Sequence, residues 1–296
     1  VPLPPPLLTA EAYLAQPSHG PDALARPFVK WVGGKRSVLP AILNALGELE
    51  GRYFEPFVGG GAVFFAMMQT WPVRGAVIND ANERLVRTWR AVRDDVDGVL
   101  ARLEEHEREH CQDWFYEVRK RDIDAAPTDA EVAAWLIYLN KTGFNGLYRV
   151  NSKGIYNVPM GSYDAPRIRD EPNLRKVHQQ LQGVEIRHGD FVDACEGACP
   201  GDTVYFDPPY VPLSRSAQFT SYTRGGFGQD DQRRLADFAA ALVARGVRVL
   251  LSNHDTPGLR DLYKDHFELM EVRVRRSVNR DGARRGAVNE LLICSR

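Results

Sequence analysis

The chain has 296 residues, 44% of them hydrophobic and 26% charged, with a formal net charge of −1. This length suits one large or two small domains with a buried core. Bulk charge excludes general attraction to a polyanion, so any nucleic-acid surface must come from local clustering.

The four cysteines, Cys111, Cys195, Cys199 and Cys294, form no CxxC pair, and no histidine stands at ligand spacing from Cys195 or Cys199. A reduced, cytoplasmic chain with no structural zinc or other metal is expected. No stretch approaches the ~20 apolar residues of a membrane span. Residues 1–26 contain "VPLPPPLL" and "PSHGPDALARP" without a basic start, an apolar core or a small-residue cleavage site. They are expected to form an irregular leader, with a turn or two of helix at "TAEAYLAQ".

The next stretch, "KWVGGK" at 30–35, invites comparison with a phosphate loop, and its spacing fails. A Walker loop needs a glycine five positions before the GK and Ser or Thr directly after it. Val29 and Arg36 occupy those positions. Taken alone, the segment is a turn before a helix, with Trp31 packed in the core.

"FEPFVGGGAVFF" (54–65) then reads as a strand entering glycines and an apolar helix, a turn that lets backbone approach a ligand at the carboxyl edge of a sheet. It fits only the first half of the dinucleotide fingerprint, because Phe64 stands where the last glycine belongs. Asp80 ends the next strand, where an acid typically grips ribose hydroxyls. Together they point to an adenosine-type cofactor without saying which. A tight turn beside a surface acid would look the same.

Strand-like runs recur at 52–58, 75–80, 183–190, 202–210 and 246–253, separated by helical patterns such as 82–110 and 229–245. The latter carries Leu235, Phe238, Leu242 and Val243 on one face. This alternation predicts an α/β fold, a mostly parallel sheet with helices on both faces. "FELMEVRVRRSV" and "AVNELLICSR" close it as an antiparallel pair. The alternation breaks between about 85 and 180: residues 84–124 are charged and helical, 129–142 form an amphipathic helix, and 143–175 are rich in glycine, proline and tyrosine. The expected division is therefore a catalytic domain of 27–84 and 176–296 with a second domain of 85–175 inserted.

"YFDPPY" at 205–210 carries the chemistry. A buried strand delivers Asp207 to the carboxyl edge. Pro208 and Pro209 then hold a rigid backbone whose carbonyls are fixed acceptors, and Tyr210 offers a flat ring. A carboxylate, a carbonyl and a stacking surface suit a planar exocyclic amine, whose delocalised lone pair is a poor nucleophile. Two acceptors on its N–H protons favour pyramidalisation, and Asp207 stabilises the developing charge. Tyr210 would hold a base swung out of its helix. An electrophilic methyl group and its carrier must then be brought in line.

In order, "KWVGGK", "FEPFVGGGAVFF", "INDAN", "NKTGFNGLYRVNSKGIYNVPMGSY", "YFDPPYVPLS", "FTSY", "LLSNHDT" and "VRRSV" resemble the DNA adenine-N6 methyltransferases of the Dam type, over about residues 26–294. The resemblance implies a Rossmann-like S-adenosylmethionine (SAM)-dependent methyltransferase sheet with an antiparallel C-terminal strand. It implies that the insert is a mainly helical target-recognition domain with a β-hairpin. Carried over by motif, it puts Trp31, Lys35, Phe57, Gly59, Gly61 and Asp80 in the SAM site, with Asp190 and Phe191 at the cofactor's adenine. Asp207, Pro208, Pro209 and Tyr210 match the catalytic motif. Lys30, Leu147, Arg149, Pro159 and Tyr163 match positions that read target bases, Asn145 a DNA contact and Phe144 an intercalating aromatic. The implied partner is duplex DNA, the implied site GATC and the implied state a monomer.

"FTSYTRGGF" (219–227) is a candidate flap. "RVRRSVNRDGARRG" (273–286) is either a phosphate-contacting hairpin or a solvated loop. Other readings make separate demands. An NAD-dependent oxidoreductase leaves "DPPY" without a role. An RNA adenine-N6 methyltransferase keeps every motif except the DNA-reading insert. A DNA-binding protein without activity would need a damaged catalytic motif. A different DNA motif, within a restriction-modification pair, is the alternative to GATC.

Overall fold

The computed structural model describes residues 12, 13, 15, 24–210, 227–274 and 288–296. Seven strands form one sheet: β1 (Tyr53–Glu55), β2 (Ala76–Asp80), β3 (Glu185–His188), β4 (Thr203–Phe206), β5 (Arg248–His254), β6 (Phe267–Val274) and β7 (Val288–Ser295). Their order across the sheet is β3-β2-β1-β4-β5-β7-β6. All pairings among β1 to β5 are parallel, and β7 runs antiparallel between β5 and β6. The expected C-terminal antiparallel pair therefore forms, with β7 inside the sheet and β6 on its edge.

Side-chain alternation explains why both faces are covered. Tyr53, Ile78, Tyr205, Leu250 and Leu292 enter one apolar cluster. Their neighbours Phe54, Val77, Val204, Phe206, Leu251, Leu291 and Ile293 enter the other. Successive residues of a strand point to opposite faces, so continuous apolar runs are what a sheet covered on both sides requires.

Helices α1 (Leu39–Leu46) and α2 (Ala62–Thr70) cover the first face. The expected helical region at 82–110 divides into α3 (Glu83–Asp94) and α4 (Val96–Arg108). The break falls at Asp95, whose non-helical backbone and side chain, accepting from Gly98 N, start the second helix. Helices α5 (Gln112–Lys120), α6 (Asp129–Thr142) and α7 (Glu171–Gln180) follow. The short α8 (Phe191–Ala194), then α9 (Gln229–Ala244) and α10 (Pro257–Tyr263), cover the second face. On α9, Leu235 and Leu242 are fully buried and Phe238 and Val243 pack beside them, as the periodicity implies.

One apolar cluster runs from the sheet into the insert, joining Ile78 and Tyr205 to Leu103, Phe115, Trp135 and Tyr138. α3 binds both parts: Trp89 meets the rings of Phe28, Phe64 and Phe65. Arg90 and Arg93 donate to the carbonyls of Ile186 and Val184 beside β3. α6 is buried on nearly every side, as befits the central helix of the insert. The hairpin expected after it forms without regular strands: two isolated antiparallel bridges, Gly143–Met160 and Val150–Tyr156, accompanied by the backbone bonds of Asn157 N to Arg149 O and Asn151 N to Ile155 O. Most of the leader, the candidate flap and the basic 273–286 stretch lie outside the described residues. Among the described residues no helix is long and apolar enough to cross a membrane.

Candidate active site and nucleic-acid interface

Strand order reverses between β1 and β4, because β1 continues to β2 on one side while β4 leads to β5 on the other. Ligands of open α/β sheets bind in the crevice at such a reversal, outside the carboxyl ends of the strands. Asp207 directly follows β4 there. Its Oδ1 lies 2.7 Å from Lys35 Nζ and accepts a 3.1 Å bond from Ser252 Oγ of β5. Ser252 is in turn 2.7 Å from Tyr205 OH. Burial pushes the Asp207 pKa up, while the Lys35 ammonium and the Ser252 hydroxyl act to lower it. Both fixed donors land on Oδ1, which directs Oδ2 to a further partner.

Lys35 is 3% exposed. Besides Asp207 it donates to Gly33 O at 2.7 Å, and Nζ stands 4.7 Å from the Tyr210 ring centre. An ammonium has three N–H donors, so one remains for a ligand. Pro208 is buried and Pro209 exposed. The Pro209 carbonyl is held by Gln232 Nε2 at 3.3 Å. Tyr210 is set by the His254 ring at 4.3 Å and by its own hydroxyl, which donates to Glu290 at 3.4 Å.

Beneath this group, Tyr53 OH donates to Glu55 Oε2 at 2.7 Å. Burial raises the Glu55 pKa to about 8. Ser252, Gln232 and Glu55 were not singled out from sequence. Ser252 and Glu55 sit inside quoted motifs, whereas Gln232 lies in an ordinary helical pattern.

The glycine loop forms as expected. Gly59 and Gly61 have φ of 49° and 75°. A Cβ on Gly59 would stand 2.7 Å from Trp31 Cδ1, and one on Gly61 2.6 Å from the Trp89 ring. Trp31 therefore forms the roof of the loop. Asp80 closes it from below: Oδ2 accepts from Gly59 N at 3.0 Å and Oδ1 from Asn82 N at 2.9 Å. Burial raises the Asp80 pKa to about 6. The Ala81 N–H also bears on this carboxylate, and four lone-pair sites against three donors leave room for a hydroxyl.

Phe57 meets Phe191, Phe206 and Phe227 with ring centres 5.7, 6.3 and 5.7 Å away. Phe191 is buried, and the Arg234 guanidinium lies 4.3 Å from its ring centre. Asp190 caps α8 through Val192 N and takes two bonds from Arg234, at 2.9 and 2.7 Å. That pairing holds its pKa below the usual carboxylate range. Asp190 and Phe191 thus sit at the crevice with Arg234 engaging both, and an adenine stacking on Phe191 would have to displace that guanidinium.

The donor set at the crevice matches SAM. It offers a carboxylate for ribose hydroxyls, a cation with a spare N–H for a carboxylate, and aromatic rings for a purine. Among the described residues no group of three or more His, Cys, Asp and Glu side chains is placed to hold a metal.

The candidate reader residues lie mostly at the surface. Phe144, Asn145, Arg149, Pro159, Tyr163 and Lys30 are all exposed, and Leu147 is half-buried. Phe144 keeps half its surface in solvent, with its N–H bonded to Pro159 O. Asn145 adopts φ 56°, the left-handed region that an Asn-Gly pair tolerates best. Arg149 Nε donates to Asn157 Oδ1 at 2.7 Å. Lys30 Nζ lies 5.7 Å from the Tyr163 ring centre. Beside them opens a cleft of about 560 Å³ lined by Arg26, Lys30, Lys141 and Arg167 together with Asp164 and Asp170; Asp170 pairs with Arg26 and Arg167, so the basic excess at its wall is modest. Trp31 joins the two regions, stacking on Tyr148 of the insert at 5.3 Å.

A family model described as D12 class N6 adenine-specific DNA methyltransferase matches residues 31–278. The chain is 40% identical over 273 residues to the Type II methyltransferase M1.LlaDCHI of Lactococcus lactis subsp. cremoris, covering 90% of this chain and 94% of that one. It is 39% identical over 288 residues to the Type II methyltransferase M.MjaIII of Methanocaldococcus jannaschii, covering 90% and 98%. The DNA adenine methylase of Escherichia coli is 34% identical over 269 residues, covering 90% and 94%.

Proposed function

The chain belongs to the D12 class N6 adenine-specific DNA methyltransferase family, and we propose that it methylates a flipped-out adenine within GATC in duplex DNA, with SAM as donor. The observation that carries this reading is Asp207, at the reversal of the sheet, fixed through one oxygen by Lys35 and Ser252.

In this reading Asp207 Oδ2 and the Pro208 carbonyl accept the two N6 protons, drawing the amine toward a tetrahedral, nucleophilic geometry. Pro209 takes no part in that contact, because Gln232 holds its carbonyl. Tyr210 stacks on the extruded base, a placement supported by the contacts that fix its ring from His254 and Lys35. SAM, when bound, supplies the electrophilic methyl group. Asp80 serves its ribose hydroxyls, and Lys35 offers its third N–H to its carboxylate. Gly59, Gly61 and Trp31 shape the loop, and Phe57, Phe191 and Asp190 form the adenine end.

Residues 85–175 act as the target-recognition domain, with α3 shared between it and the sheet. Arg149, Leu147, Pro159, Tyr163 and Lys30 read bases, Asn145 contacts DNA, and Phe144 wedges into the space left by the flipped base. Their exposure, and the contacts that gather Lys30, Tyr163 and Pro159 about the 143–147 turn, support the assignment. Type II methyltransferases among the relatives favour one second reading, a different target motif within a restriction-modification pair.

The test is methyl transfer from labelled SAM to duplex DNA, with Asp207→Ala in parallel. The variant is expected to bind duplex and transfer nothing. Retained transfer removes Asp207 from the mechanism.

A further inference from the structure

Asn140 lies in the last turn of α6 and is 2% exposed. Its side-chain oxygen accepts from Lys30 N at 2.7 Å. Its amide nitrogen donates to Lys30 O at 2.9 Å and to Gly146 O at 2.7 Å. Both amide protons are used, and the oxygen is used as well. Aspartate could not make the two donations, and glutamine would carry the amide one carbon too far. A single buried side chain therefore ties the backbone of Lys30, which precedes the cofactor loop, to the turn that begins the exposed reader segment.

The fit continues beyond the hydrogen bonds. Gly146 has φ 66°, and a Cβ there would stand 2.4 Å from Lys30 Cδ. The Lys30 stem therefore lies across the bare face of Gly146, and its ammonium is aimed at Tyr163. Tyr163 OH in turn donates to Gly143 O at 3.3 Å, within the same turn. Lys30, the 143–147 turn and Tyr163 are thus one rigid unit. The neighbouring Trp31 packs over Gly59 and Gly60, so the unit is also registered against the cofactor loop.

We infer that Asn140 is a positioning residue for target discrimination: it sets the spacing between Lys30 and the reader turn, and so the register in which the base pairs are presented to Lys30, Leu147 and Arg149. This rests on the proposal that those three read the target. Asn140 itself touches neither DNA nor cofactor. Its loss lets Lys30 and the turn drift relative to one another, so a cognate site loses its fixed contacts while a mismatched site gains tolerance.

The experiment measures kcat/KM on a duplex carrying the motif that the enzyme modifies in plasmid DNA, and on each single base-pair change of it. Asn140→Ala and Asn140→Asp are compared with wild type, with SAM affinity by calorimetry and circular dichroism as controls. Discrimination is expected to fall ~10-fold or more at the base pairs nearest Lys30, the worth of about one good base contact, with SAM affinity nearly unchanged. Equal slowing on all duplexes, with discrimination intact, overturns the inference and makes Asn140 a structural residue only. Gly146→Ala gives a second route should the Asn140 variants not fold, because it keeps Asn140 and displaces Lys30; intact discrimination there also counts against the inference. Lys30→Ala and Arg149→Ala run alongside. If neither relaxes discrimination, the reader assignment itself is wrong; if they do and the Asn140 and Gly146 variants do not, only the positioning role fails.

Discussion

Replacing Lys35 with methionine keeps most of the buried stem and removes one charge. Its Nζ is 2.7 Å from Asp207 Oδ1, a separation worth about 6 kcal/mol of gross attraction at an effective dielectric constant of about 20. Burial of the ammonium offsets part of that, and removing one partner from a buried pair costs about 3–5 kcal/mol. Charged to the chemical step, such a loss lowers kcat by between about a hundredfold and several thousandfold. The pH profile supplies the signature. Burial already raises the Asp207 pKa and Lys35 opposes the rise, so in Lys35→Met the pKa climbs further. The acceptor form of Asp207 is the ionised one, so the acid limb of log kcat against pH moves to higher pH. Steady-state transfer of labelled methyl groups to duplex DNA between pH 6 and 9 reads both effects. Lys35→Arg, which restores a cation, should recover part of the rate. Adding Lys35→Met to Asp207→Asn should cost little more in kcat than Asp207→Asn alone, because the pair is already broken. KM for SAM should also rise in Lys35→Met, through loss of the third N–H. A full-rate variant with an unmoved acid limb would refute the pairing as a catalytic device.

Asp80→Asn can accept on only one side-chain atom, so it releases either Gly59 N or Asn82 N; calorimetry should show SAM affinity at least ~10-fold weaker, the cost of one charge-assisted bond. In the wild type the Asp80 pKa is raised to about 6, so SAM affinity should fall as pH drops through 6 and hold steady above it, a dependence that Asp80→Asn abolishes. Burial lowers the His106 pKa to about 4 from its ordinary 6.5, its ring stacked on Tyr138 at 4.6 Å and accepting from Trp114 Nε1. The unfolded chain then binds the extra proton first, so His106's share of stability is complete above pH 6.5 and lost as pH falls toward 4. Between pH 7.5 and 5 Glu55 and Asp80, with their raised pKa values, act in the opposite direction, so urea titrations should show His106's share as a loss of about 2 kcal/mol in the wild type relative to His106→Phe over that interval.

What the sequence disclosed depended on how local the cause was. Asp207 and Asp80 were legible because each ends an apolar strand, and a parallel sheet presents such ends along one edge. Gly59 and Gly61 were legible because a strand-to-helix turn needs left-handed backbone there. The partner of Lys35 was not. Motif resemblance placed it in the cofactor site, yet the side chain also reaches Asp207, 172 positions away in the chain, a contact that only the folded structure brings about. Arg234 stayed hidden for the same reason, since its helix shows an ordinary polar face and its pairing with Asp190 is made across the crevice. Asn140 was quoted only as the first letter of a motif. Three hydrogen bonds to segments far apart in the chain leave no trace in periodicity. The expected hairpin appears as two isolated antiparallel bridges rather than a regular strand pair: backbone bonds join Asn157 N to Arg149 O and Asn151 N to Ile155 O, and the side chains of Asn140, Tyr156 and Asn151 add bonds to the backbone of the same segment.

The central claim is adenine-N6 methylation of a defined DNA site, and single-molecule sequencing tests it most directly. Plasmid lacking modification is treated with the purified protein and SAM, and every modified base is placed in its motif. N6-methyladenine is expected only within GATC, on both strands, and is expected to be absent when Asp207→Ala replaces the wild type. Another adenine motif would overturn the GATC assignment alone. Modified cytosine, or no modification at all, would contradict the account as a whole.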